Sequence, residues 1–441
     1  MNEKTILVAL ALACSTTLAG LAADWPRFRG VNGSGVDAAA PVPALWDEST
    51  LLWSADVPGR GHGSPAVFGG RVYLLSAIPF EGTANAPASA GKGGKTDGQG
   101  KGKANGGGRS LYEWAALCYD AETGEALWER RFDVGRFGGH RFNSPASSTP
   151  AADGERIVFV WGPPESLTVT ALSHGGELLW TRDLGPVAGG HGFGGSPVLH
   201  DGLVVLNNDQ DRRQGSLLGL DAATGETRWE VERRSERISY SVPCVYETEG
   251  RELLVFVNWQ HGFTAVDPVD GSVVADESVF PLDASLRAIS SPVVAGDLVV
   301  GTCGYTGNPK FCVAMRLRGS DWEEVWRVER NAPHIPSVLA FDGLAFLVDD
   351  AGIATCLDAS TGREKWRVRV PGVEGTVSGS PVSDGRKVFF PDESGKVHAF
   401  AAAAEFESLG TSRPGGLCRS TPALSAGTAY LRTERMLRAY R

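Results

Sequence analysis

Eight segments of one pattern recur along the chain: a short apolar strand, opened in six of them by Ser-Pro or Thr-Pro, a glycine or aspartate turn, and a second apolar strand. SPVLHDGLVVL at Ser196, SPVVAGDLVVG at Ser291, SVLAFDGLAFL at Ser337 and SPVSDGRKVFF at Ser380 share one phase. SPAVFGGRVYL at Ser64, TPAADGERIVF at Thr149, VPCVYETEGRELLVF at Val242 and TPALSAGTAYL at Thr421 complete the set. The second position is Pro65, Pro150, Pro197, Pro243, Pro292, Val338, Pro381 and Pro422. Their spacing gives a period of about 45 residues, the length of one four-stranded propeller blade. Only the interval from Pro65 to Pro150 is much longer, and it holds EGTANAPASAGKGGKTDGQGKGKANGGGR from Glu81 to Arg109. That tract has no apolar periodicity, so 81–109 is expected to be a disordered Gly/Ala/Lys-rich loop inside the first blade, not a domain boundary.

Each repeat ends in a turn and a strand carrying tryptophan, seen most clearly in DAETGEALW at Asp120, DAATGETRW at Asp221 and DASTGREKW at Asp358. The aspartate can accept hydrogen bonds from the turn backbone, the glycine can take a positive φ, and the indole offers a broad apolar face. Trp53, Trp128, Trp180, Trp229, Trp326 and Trp366 are therefore expected to dock each blade on its neighbour. The last repeat stops at Arg441 after three strands, while LLWSAD, from Leu51 to Asp56, is an orphan fourth strand. Pairing the two would close the ring and remove its free edges. The pattern predicts an all-β protein: an eight-bladed β-propeller of four-stranded antiparallel blades, a single domain over 24–441 whose N-terminal strand completes the last blade.

The first residues, MNEKTILVALALACSTTLAGLAADW, have one lysine, a short apolar run and small residues before Asp24. This is the layout of a secretory signal peptide over 1–23, with an apolar run too short to span a bilayer. It predicts a periplasmic or secreted protein with no transmembrane span. Lipid anchoring through Cys14 is less favoured, because the residues before it lack lipobox order. The net charge of -10 argues against a nucleic-acid partner, which needs a basic face. The chain is expected to act as a monomer. Cys118, Cys244, Cys303, Cys312, Cys356 and Cys418 are too sparse for a disulfide framework. Cys303 and Cys312 flank the loop GYTGNPK and would bond if they lay opposite each other, whereas Cys118 and Cys356 occupy equivalent third-strand positions and read as core.

In an antiparallel blade, the loop leading into the first strand and the loop joining strands two and three share one face, here called the upper face. The leading loops carry His62, His140, His191, Arg287, His334 and Arg419, and the second set carries Asn207, Asp209 and Asp349. These residues are the candidates for contact with a ligand or partner. GGHGFGGSPV at Gly189 and its relatives at Gly59 and Gly138 follow the repeat, and their histidines lack tight metal-ligand spacing. NNDQD at Asn207 offers alternating oxygens for calcium but lacks the full EF-hand pattern.

The D-x-x-T-G-x-x-x-W element resembles the tryptophan-docking motif of the pyrroloquinoline quinone (PQQ) repeat family of eight-bladed propellers, which includes quinoprotein alcohol dehydrogenases and BamB-like assembly lipoproteins. The start DWPRFRGVNGSGV at Asp24 is similar to the opening of exported PQQ-binding-like repeat proteins. The dehydrogenase branch implies PQQ, calcium, adjacent cysteines and a tryptophan platform. This chain has no Cys-Cys pair and no C-x-x-C-H haem motif, so PQQ and calcium lack a full motif and no catalytic, cofactor or metal residue is assigned. The favoured expectation is a non-catalytic scaffold that binds a protein or extended ligand on its upper face. A PQQ/calcium-dependent oxidoreductase and a carbohydrate-binding or carbohydrate-active propeller, using Tyr240, Trp259 and Tyr305, are the alternatives.

Overall fold

The computed structural model describes residues 24–80, 110–137, 139–140, 142–307 and 309–441. The expected signal peptide and the 81–109 tract lie outside the described residues. Eight four-stranded antiparallel sheets follow one another in chain order. Blades 1 to 7 span 66–137, 151–183, 198–235, 244–277, 293–328, 339–369 and 382–412. Blade 8 combines three strands within 423–440 with Leu51–Asp56, whose pairing runs from Leu51 opposite Tyr440 to Asp56 opposite Met436. The N-terminal strand thus closes the ring, as the truncated last repeat predicted.

The second strands read as continuous apolar runs because both their faces are covered. Ile157–Trp161 is buried at every position, whereas the outer strand Leu178–Asp183 buries only Trp180. The indole Nε1 of Trp53, Trp128, Trp180, Trp229, Trp326 and Trp366 donates to a carbonyl of the next blade, at Ala121, His174, Ala222, Pro268, Ala359 and Ala403. Beneath each of these rings except Trp366 a turn glycine has a positive φ, and a Cβ on Gly124 would lie 2.5 Å from Trp53. Blades 4 and 7 have Ala275 and Gly410 at the equivalent outer-strand positions. Other indoles occupy those two seams. Trp322 packs against Tyr246 and Phe263, and Trp46 stacks on Phe389 and Tyr440 at 5.2 and 5.8 Å.

The Ser-Pro and Thr-Pro motifs join the innermost strands. Proline holds the preceding residue extended, so its hydroxyl reaches sideways to the neighbouring blade. Backbone N–H groups of Ser64, Thr149, Val242, Ser291, Ser337, Ser380 and Thr421 donate to the hydroxyls of Thr149, Ser196, Ser291, Ser337, Ser380, Thr421 and Ser64 at 2.9–3.0 Å. This girdle runs around the channel and crosses the closing seam between blades 8 and 1. Val242 has no hydroxyl, so the girdle is interrupted there.

Residues 24–46 cross the lower face of the ring. Trp25 pairs with Val67 of blade 1, Pro26 accepts from Ala152 of blade 2, Asn32 pairs with Val245 of blade 4, and Gly35 accepts from Ser383 of blade 7. The buried guanidinium groups of Arg27 and Arg29 donate to the carbonyls of Pro243 and Pro381.

The Cys303–Cys312 bond considered from sequence does not form. Cys303 pairs with Phe311 and Cys312 with Thr302, so the two sulfurs point to opposite faces of the sheet. The one-residue offset places Cys303 in the packing between blades 4 and 5 and Cys312 in that between blades 5 and 6. Cys118 and Cys356 sit opposite Trp128 and Trp366 at equivalent third-strand positions, both buried and unbonded.

Candidate functional site

A cavity of about 190 Å³ opens at the upper mouth. Its wall includes six girdle hydroxyls, those of Ser64, Thr149, Ser196, Ser337, Ser380 and Thr421. Each of these oxygens already accepts a backbone N–H from the preceding blade, so each hydroxyl retains its own hydrogen for donation. Phe28, carried by the segment that crosses the lower face, also lines this cavity. His62, Phe142, Asn143, His191, Tyr240 and Arg419 line it as well, and among the described residues no aspartate or glutamate does.

His62 is held by its own backbone: its N–H donates to Ala146 O and Ser144 Oγ, while its buried Nδ1 makes no hydrogen bond. Burial, reinforced by Arg419, Arg432 and Arg60, pushes the His62 imidazole down to about 3. His191 Nδ1 is also buried without a hydrogen bond, and its ring centroid lies 4.4 Å from that of His140. Burial, then Arg287 and His140, lowers His191 to about 4. Both rings are therefore neutral near pH 7. The Asn143 side-chain amide donates to the carbonyls of His191 and Phe193, which ties the mouth loops of blades 2 and 3 together.

The two arginines of the mouth are held by carboxylates behind them. Arg287 reaches Asp211 at 3.3 Å, donates to Tyr240 Oη, and lies 6.0 Å from the centre of the Tyr240 ring. Arg419 reaches Glu393 at 3.1 Å and sits 5.4 Å from the centre of the Phe142 ring. Each pair presents a cation beside an aromatic face.

The sequence candidates therefore separate into two groups. His62, His191 and Arg419 line the cavity, His140 packs at a tilt against His191, and Arg287 stands behind Tyr240. His334, Asn207, Asp209 and Asp349 do not line it. The His334 backbone N–H donates to Asp350, which also pairs with Lys310, and burial lowers the His334 ring to about 4. Asn207 donates to Ser241 O. Asp209 forms a buried two-pronged bridge to Arg233, both contacts at 2.7 Å, and accepts from Asn258. That carboxylate is committed to a guanidinium, which removes it from any calcium set built on NNDQD. Asp349 Oδ1 accepts from the backbone of Ala351 and Ile353 and shapes its own turn. Trp259 is buried and donates to Pro281 O. The girdle and Phe28 were not recognised as site residues from sequence. The recurring hydroxyl before proline is the signal for the girdle in the sequence, while its reach to the neighbouring blade is visible only in the fold.

A family model described as outer membrane protein assembly factor BamB matches residues 115–368 and 322–433. No curated protein matches the chain. Among solved structures, BamB from Moraxella catarrhalis is 13% identical, with a TM-score of 0.58 over 89% of this chain and 97% of that one. Quinohemoprotein alcohol dehydrogenase from Comamonas testosteroni is 13% identical, with a TM-score of 0.61 over 95% and 80%. The computationally designed Ika8 protein is 12% identical, with a TM-score of 0.60 over 89% and 99%. Likeness at such identities concerns the fold alone.

Proposed function

The chain belongs to the PQQ-like repeat family described as outer membrane protein assembly factor BamB, and from that premise we propose that it is a non-catalytic binding propeller of the cell envelope. The upper mouth takes a projecting segment of a protein or another extended ligand. The observation that carries this reading is the composition of the cavity wall: among the described residues it has six girdle hydroxyls with those of Ser147, Ser378 and Tyr240, two neutral imidazoles and one arginine, and no carboxylate. Such a wall supplies donors and suits a group rich in acceptors, such as peptide carbonyls or a carboxylate. The cavity takes one end of an extended ligand, and the rest of the ligand lies across the rim formed by the mouth loops.

The residues at hand do not fit PQQ with calcium. Among the described residues no tryptophan lines the cavity, the cysteines are separate buried thiols, and Asp209, Asp211 and Glu393 are each engaged by an arginine. A saccharide is a second reading, favoured by the aromatic faces of Phe142 and Tyr240 beside the hydroxyls.

The test uses the purified protein as bait in envelope extract, alongside an Arg287→Ala/Arg419→Ala variant and a Val269→Ala control. Val269 is 86% exposed on a lower-face turn. A partner retained by wild type and control but lost with the arginine variant supports the reading. Identical recovery by all three, or alcohol-dependent dye reduction after adding PQQ and Ca²⁺, overturns it.

A further inference from the structure

We propose that His200, Asp201 and Glu252 bind one divalent cation of the zinc type on the lower face, between blades 3 and 4. His200 ends the inner strand of blade 3, Asp201 forms the following turn with a φ of 45°, and Glu252 comes from the second strand of blade 4. His200 Nε2 lies 3.2 Å from a Glu252 oxygen and 3.8 Å from an Asp201 oxygen, and all three ligand atoms fall within 4.8 Å of one another. Two ligands each about 2.1 Å from a central ion subtend about 100° when 3.2 Å apart and about 130° when 3.8 Å apart, within the range of a distorted tetrahedron. The separation between the two carboxylate oxygens is no more than 4.8 Å, so a small rotation of the exposed Asp201 or Glu252 side chain brings all three donors around one ion.

A second observation separates this trio from a chance ion pair. His200 Nε2 is buried yet makes no hydrogen bond, although a carboxylate is within reach, so the nitrogen is not aligned to donate a proton to it. A metal between the two atoms uses both lone pairs without requiring that alignment. The position is also unusual within the repeat. His200 pairs with Leu203 at the tip of its hairpin, where blades 1, 5, 6 and 8 place Phe68, Ala295, Phe341 and Ser425. None of those can ligate through nitrogen.

One imidazole with two carboxylates is a borderline donor set, better suited to Zn²⁺ than to Ca²⁺, which prefers six or more oxygens. His200 and Glu252 line a cavity of about 320 Å³, together with Arg27 and Asn32 of the segment crossing the lower face. A three-ligand ion here keeps a coordination position for water or an acidic ligand, with the Arg27 guanidinium nearby to favour an anion.

Isothermal titration of the chelator-treated full-length protein with ZnCl₂ tests the assignment, with His200→Phe and Glu252→Gln as variants. Phenylalanine occupies the equivalent position in blade 1 as Phe68, so the hairpin position accepts that side chain, and the variant's metal-free melting curve reports whether it folds. One equivalent of Zn²⁺ is expected for wild type. Each variant should lose at least the roughly 10–100-fold in affinity that follows loss of an outer-shell partner. Cobalt in place of zinc should give the intense visible bands of a four-coordinate ion in wild type alone. No uptake by wild type, or uptake of equal affinity in both variants, overturns the proposal.

Discussion

Replacing Thr421 or Thr149 by valine removes one girdle hydroxyl while leaving the side-chain shape nearly unchanged. Valine is already accommodated at the equivalent place in blade 4, where Val242 stands. Thr421 Oγ1 accepts the Ser380 N–H and Thr149 Oγ1 accepts the Ser64 N–H, each at 2.9 Å and each nearly inaccessible to solvent. The variants leave a buried backbone donor without its acceptor, which costs about 1–3 kcal/mol, toward the lower end where channel water can take the proton. With an unfolding entropy near 2.1 cal/mol/K per residue, a chain of this length has roughly 0.8–0.9 kcal/mol/K at its midpoint. The melting temperature should therefore fall by about 1–4 °C for each variant. Differential scanning calorimetry reads this directly against Thr227→Val, an exposed outer-strand change expected to stay within about 0.5 kcal/mol of wild type. If Thr421→Val and Thr149→Val melt together with that control, the hydroxyl girdle does not hold the blades together.

Acid should weaken the fold through the mouth histidines. Burial lowers His62 to about 3 and His191 to about 4, so between those values and pH 6.5 the unfolded chain binds more protons and stability falls as pH falls. Melting temperatures at pH 7.5 and 5 should converge in His62→Gln and His191→Gln relative to wild type, and an unchanged slope would contradict the assignment. Arg233→Ala should destabilise by about 3–5 kcal/mol in urea titration, because it strands the fully buried Asp209 carboxylate. Deleting residues 24–58 should lower stability sharply, since it removes the closing strand and Trp46, a residue whose truncation alone costs about 3–5 kcal/mol. An unchanged melting temperature would rule out closure by the N-terminal strand.

The ring was legible in the sequence because its information is periodic. Ser/Thr-Pro starts, turn glycines and outer-strand tryptophans repeat at a fixed spacing, and the missing fourth strand of the last repeat pointed to Leu51–Asp56. Contacts that break the period were not legible. Trp46 and Trp322 occupy the seams that lack a docking tryptophan, yet neither stands at the repeat position. Arg27, Phe28 and Arg29 reach the channel from a segment that belongs to no blade. Nor does the sequence show that the Asp209 carboxylate is claimed by an arginine 24 residues away on another strand. The cysteine pair turned on a one-residue shift in register, which alternation sends to the opposite face and which loop length alone does not determine.

Site-specific photo-crosslinking tests the binding mouth most directly. A benzophenone amino acid placed at Phe142, 40% exposed and on the cavity wall, should yield a discrete adduct when the purified protein is irradiated in envelope extract. The same probe at Leu179, 48% exposed on an outer strand, should not. The account predicts that the Phe142 adduct disappears in the Arg287→Ala/Arg419→Ala background. No adduct at Phe142, or the same adduct at both positions, contradicts a ligand seated in the upper mouth.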